Sequence, residues 1–159
     1  MTRSRPWLAL ILVAAVAGLT GCAGSPELPQ QTKVRASDEV AAKAITYARQ
    51  MLGKPYMYAG ETPAGFDCSG LVKYSYGRAG ISLPRDTQSQ RRMSVLVSMR
   101  SVREGDLLFF DQEGRKTSHV GMYVGNGRFI HAPSSGGKVR TDSLNADFWK
   151  KHFVEARRI

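Results

Sequence analysis

HVGMYVGNGRFIHA, residues 119–132, is a pair of strand-like runs flanking Gly125, Asn126 and Gly127, and the way the two runs pair controls what else the chain can build. A two-residue Asn126-Gly127 turn would pair Gly125 with Arg128 and put His119 and His131 on opposite faces. A three-residue Gly125-Asn126-Gly127 loop would pair Val124 with Arg128 and Gly121 with His131. Both turns are common in hairpins, and a slip of one residue inverts every side chain. The second register is preferred because it collects Val120, Met122, Val124, Ile130 and Ala132 on one apolar face. It leaves His119, Gly121, Tyr123, Phe129 and His131 on the other, with Gly121 as a gap beside the two imidazoles.

Outward from this hairpin, DLLFFD (106–111) and FVEARRI (153–159) are further strand-like runs rich in β-branched and aromatic residues. A short helix is expected around 146–151. Upstream the period changes. Val40, Ala41, Ala44, Ile45, Ala48, Met51 and Leu52 recur at helical steps over 38–52, with Ser37 or Asp38 as N-cap and Gly53 as stop. KPYMYAGETPAGFD (54–67) is a loop rich in Gly and Pro. A second helix is expected from Cys68 through Leu71, Val72, Ser75, Tyr76 and Ala79, capped by Asp67 and closed near Gly80, and a third, short one after Asp86. Helices first and strands second predict an α+β fold, N-terminal helices packed on a C-terminal antiparallel β-sheet.

The chain of 159 residues carries a net charge of +10. Two of its positive charges, Arg3 and Arg5, precede an uncharged run over 7–19 that is too short for a comfortable bilayer span. This run ends in LTGC at Cys22, which resembles the lipobox of bacterial lipoproteins. The resemblance implies a signal peptide over 1–21, lipidation of Cys22, a flexible tether over 22–37 and one folded domain over 38–159. Ala23 after the cysteine implies the outer membrane of a Gram-negative cell, with the domain facing the periplasm. A basic surface is drawn to polyanions. No nucleic-acid module is recognisable, whereas anionic lipid head groups and cell-wall carboxylates fit an exported protein.

With Cys22 lipidated, Cys68 has no disulfide partner. An isolated cysteine is often a buried small hydrophobe. Here it sits in the first turn of a helix between Asp67, Ser69 and Gly70, where unpaired backbone N–H groups and a neighbouring imidazolium would favour thiolate. A cysteine-histidine pair needs a third group to orient the imidazole, and His131 is available. The same three residues could instead form a Cys-His-His zinc site, although the usual close-spaced ligand pair is missing. His152 reads as surface or packing. Tyr56/Tyr58 and Phe109/Phe110 read as core or groove wall as readily as stacking platforms.

FDCSG (66–70), LPRDTQSQ (83–90), GDLLFF (105–110) and HVGMYVGNGRFIHA resemble, in order, the motifs of the NlpC-type cell-wall peptidases, across nearly all of the expected domain. The resemblance implies a papain-like fold with Cys68 as nucleophile, His119 as general base and His131 as the orienting third residue. Tyr56 matches a family tyrosine that helps the Cys68 N–H stabilise the oxyanion. Asp67 and Ser69 are candidates for substrate contact, and Arg85 and Gln90 for structure or groove lining. Ala59 departs from the glycine of many relatives. The implied substrates are peptidoglycan stem peptides, cut at the D-glutamyl-diamino acid bond or at a crosslink, with no metal and no cofactor required. A silent peptidoglycan-binding scaffold and a thioester-forming amidase or acyltransferase are the alternatives. The sequence defines no protein adaptor.

Overall fold

The apolar period over 38–52 becomes helix α1 (Asp38–Gln50), started by the Ser37 hydroxyl accepting from the Val40 N–H. Asp38 and Glu39 in its first turn and Arg49 in its last complement the helix dipole. This computed structural model describes residues 36–159 apart from 113 and 136, so the expected signal peptide, Cys22 and the tether up to 35 lie outside the described residues. Ala36 already belongs to the fold: it is buried, and its N–H donates to the Ile159 carbonyl at 2.8 Å.

The loop after α1 contains a small ribbon, β1 (Glu61–Thr62) paired with β2 (Gly65–Phe66). Helix α2 (Cys68–Arg78) follows, with Asp67 as its N-cap and Gly80 at φ 99° just past its end. Helix α3 (Thr87–Met93) is capped by Asp86. The ribbon and α2 are held in close contact by small residues. A Cβ on Gly70 would overlap the Gly60 carbonyl oxygen, so the loop lies against the start of α2 only because glycine is there.

Six strands then form one antiparallel sheet: β3 (Val95–Val97), β4 (Leu107–Gln112), β5 (Arg115–Tyr123), β6 (Arg128–His131), β7 (Arg140–Ser143) and β8 (Phe153–Arg158), in the order β3-β8-β4-β5-β6-β7. Helix α4 (Asp147–His152) precedes the last strand. The hairpin adopts the three-residue register, pairing Met122 with Ile130 and Tyr123 with Phe129, and Val124 N–H donates to Arg128 O at 3.0 Å. Gly125, Asn126 and Gly127 all have positive φ, at 86°, 51° and 66°. Two flanking glycines and an asparagine are the residues that tolerate such a run.

Both faces of the sheet are covered. On one, Val120, Met122, Val124 and Ile130 join Phe109, Leu107 and the buried faces of α1 and α2. On the other, Leu108, Phe110, Phe129 and Ala156 pack around Trp149 of α4. Phe109 and Phe110 are therefore core residues of opposite faces. The gap expected at Gly121 is filled: a Cβ there would strike the Phe129 ring, which occupies the space beside the imidazoles.

Candidate active site

Where β4 ends, β5 begins and β6 ends, the start of α2 meets the sheet and a cleft of about 680 Å³ opens. Its walls include Tyr56, Tyr58, Asp67, Cys68, Arg85 and His119. Cys68 is the first residue of α2, so its N–H is one of the donors that no helical carbonyl takes. Its sulfur lies 3.8 Å from Thr87 Oγ1.

His119 is buried on β5, and its Nε2 sits 2.8 Å from His131 Nδ1, with the rings nearly perpendicular at 83°. The two expected histidines thus share a face and touch. No hydrogen bond to a described residue occupies His119 Nδ1. The facing ring nitrogens are bonded to each other rather than splayed around an ion. Among the described residues no group of three or more His, Cys, Asp or Glu could hold a metal.

The pair continues to a residue that the sequence reading missed. His131 Nε2 lies 3.1 Å from Asp142 Oδ2, and Asp142 also accepts from Trp149 Nε1 at 2.9 Å and from Arg140 Nε at 3.0 Å. On β7, Arg140 stands opposite His131 and Asp142 opposite Phe129, so the carboxylate reaches the imidazole diagonally across the strand pair. The alternation of Arg140 and Asp142 two residues apart was the available signal. RTDS lacks the apolar pattern that marks a strand, so no strand was expected there.

Electrostatics in the site differ from the sequence expectation. Burial pushes the Cys68 thiol up, opposed by donors from Thr87, Val120 and Ser69. Burial, then the neighbouring His131, lowers His119 to about 3, and burial lowers His131 as well. Asp142 is held well below the usual carboxylate range by the His131 hydrogen bond, with Arg140 and Trp149 adding to it. These directions oppose the charged forms of both the thiol and the imidazoles. A helix terminus contributes about 0.3–1 kcal/mol, whereas burial of a charge shifts titration by up to several units.

On the other wall, Arg85 donates to both oxygens of Asp67, at 2.9 and 2.6 Å, and to Ser69 Oγ at 3.0 Å. Asp67 caps α2 through Gly70 N–H at 2.7 Å. Ser69 is 5% exposed, and its hydroxyl is engaged with Asp67 and Arg85 while its surface borders the cleft. Gln90 is fully buried and donates to the carbonyls of Ser69 and Pro84, which makes it a brace. Tyr56 lines the cleft, and Tyr58, 87% exposed, stands at its mouth. Ala59 takes φ 57°, the left-handed conformation natural to glycine. His152 stacks on Phe148 and stays out of the site. Thr117, also at positive φ (49°), is fastened by Gln88, whose amide donates to its hydroxyl at 2.6 Å, and by Asp111. Both Gln88 and Thr117 line the cleft and were not singled out from sequence.

The NlpC/P60 family model matches residues 53–158. Murein DD-endopeptidase MepH of Escherichia coli is 40% identical over 134 residues, covering 81% of this chain and 48% of the relative. The bifunctional muramidase/DL-endopeptidase CwlT of Bacillus subtilis is 40% identical over 125 residues, covering 77% of this chain and 36% of the relative. The chain thus spans less than half the length of either. A Staphylococcus aureus lipoprotein-like protein of the NLP/P60 family superposes with TM-score 0.71 at 34% identity, covering 82% of this chain and 44% of that one. The expected arrangement of helices on an antiparallel sheet is that of this solved relative.

Proposed function

The chain belongs to the NlpC/P60 family, and from that premise we propose that it is a cysteine endopeptidase that cuts the stem peptides of peptidoglycan. The observation that carries this reading is the cleft lined by both Cys68, at a helix start, and His119, whose Nε2 is bonded to His131. Relatives named as DD- and DL-endopeptidases support the substrate class. The scissile bond in this reading is the D-glutamyl-diamino acid bond or a crosslink.

Cys68 Sγ attacks the scissile carbonyl carbon as its proton passes to His119 Nδ1. Burial opposes the charged form of both groups, so in this reading proton transfer and attack proceed together rather than from a standing ion pair. The Cys68 N–H, with Tyr56 on the cleft wall, stabilises the oxyanion. Collapse breaks the C–N bond, and the Nδ1 proton goes to the departing amine. Water then gives a proton to Nδ1 while its oxygen attacks the thioester, and the proton returns to sulfur as the C–S bond breaks. His131 holds the His119 ring, and the Asp67, Ser69 and Arg85 wall meets the acyl portion of the substrate.

The anchor belongs to the same reading: lipid on Cys22 would hold the domain at the outer membrane, facing the periplasm. Muropeptide digestion followed by mass spectrometry tests the function. Wild-type protein should release fragments that identify the bond, and Cys68→Ser should release none. Binding of muropeptides without cleavage would favour the scaffold, and transfer to an added amine without net hydrolysis the acyltransferase.

A further inference from the structure

We propose that Asp142 is a positioning residue that sets the tautomers of both imidazoles, so that His119 presents an unprotonated Nδ1 toward Cys68. The inference rests on the roles proposed above for Cys68 and His119.

With both imidazoles neutral, the form their burial favours, the hydrogen bonds leave one assignment. Asp142 receives Trp149 Nε1 at 2.9 Å and three contacts from the Arg140 guanidinium at 3.0–3.1 Å. An indole N–H and a guanidinium only donate. Both demand lone pairs from Asp142, which is therefore an ionised acceptor with no proton to offer His131. The 3.1 Å contact then requires the proton on His131 Nε2. A neutral imidazole carries one N–H, so His131 Nδ1 holds a lone pair. The 2.8 Å contact between the rings in turn requires the proton on His119 Nε2. His119 Nδ1 is left as the base.

The rings have little freedom to escape this chain. Trp149 stacks on His119 at 5.5 Å and 26°, meets His131 edge-on at 4.9 Å, and anchors Asp142 through its N–H. One side chain of α4 thereby clamps all three. A carboxylate two side chains from the sulfur acts as an orienting group, extending the usual logic of a nucleophile, a base and a third residue by one member.

Histidine-labelled protein at neutral pH provides the test, because two-bond ¹H–¹⁵N couplings show which ring nitrogen carries the proton. Wild type should show Nε2–H on both His119 and His131. Asp142→Ala should give mixed tautomers at His119, slow iodoacetamide alkylation of Cys68 about tenfold, and lower kcat on muropeptides about 10- to 100-fold with KM within about twofold, less than the loss when a directly bonded orienter is changed. Asp142→Asn can still offer its carbonyl oxygen to His131, and should keep the wild-type tautomers and more of the activity than the alanine variant. An Nδ1–H tautomer at wild-type His119 would overturn the proposal, as would an Asp142→Ala protein with unchanged tautomers and alkylation. If the alanine variant does not fold, the wild-type and asparagine spectra still decide. Tautomers and alkylation need no substrate, so they stand or fall separately from the endopeptidase reading, which Cys68→Ser digestion tests.

Discussion

Asp67 does two jobs with one carboxylate: it caps α2 and receives the Arg85 guanidinium on both oxygens. Replacing it by alanine removes the cap, worth about 1 kcal/mol, and leaves the Arg85 charge beside the cleft without this partner. Asp67→Ala is expected to lower unfolding free energy by roughly 1–3 kcal/mol, read from urea denaturation. Cys68 gives a second expectation at a single side chain. Its thiol is raised by burial, and His119 stays neutral to about pH 3. Alkylation of the resting protein should therefore climb through alkaline pH with no plateau near neutrality. An inflection below pH 7 would mean that the thiolate-imidazolium pair already exists. Cys68 and the two histidines could be picked out as candidates from residue type, position and the family resemblance. Their protonation could not, because desolvation is a property of everything packed around them.

At the level of elements, the start of α2 is placed by contact with the loop that leads into β1, and that contact tolerates no side chain at residue 70. Gly70→Ala should force the Gly60 backbone away, cost about 1–3 kcal/mol as overpacking does, and abolish muropeptide cleavage in protein that remains folded by circular dichroism. A variant with full activity would show that the loop does not position Cys68. The 119–132 hairpin was readable because its apolar residues segregate in one register only and because Gly-Asn-Gly suits three consecutive positive φ values. Strands β3 and β7 were not. VLV is three residues long and RTDS carries no alternation. Both are edge strands made by pairing with a neighbour already in place, β8 for one and β6 for the other. Missing β7 meant missing Asp142.

Across the whole molecule, the buried imidazoles tie stability to pH. In the unfolded chain a histidine gains its proton near pH 6.5, whereas folded His119 remains neutral to about 3 and His131 is also lowered. Between those limits the unfolded state binds more protons, so stability is complete above about pH 6.5 and falls as the pH drops. Asp142, depressed in the fold, adds a loss in the same direction below the ordinary carboxylate range. Chemical denaturation from pH 7.5 to 4 should show a declining unfolding free energy, and His119→Gln should flatten part of that decline. A pH-independent free energy in the wild type would contradict the burial of neutral imidazoles.

Local order in the chain was enough to indicate the class of fold, to favour the hairpin register that forms, and to mark the capped helix that carries Cys68 and the histidine pair. Periodicity, caps and turn residues act over a few positions and leave their mark on the sequence. Packing decided the rest: that the two imidazoles touch, that Trp149 closes over them, that Asp142 terminates their hydrogen-bond chain, and that burial pushes the thiol up. Those outcomes join residues from α2, β5, β6, β7 and α4, and the energies involved, desolvation and hydrogen-bond pairing, exist only once these elements have enclosed a common space.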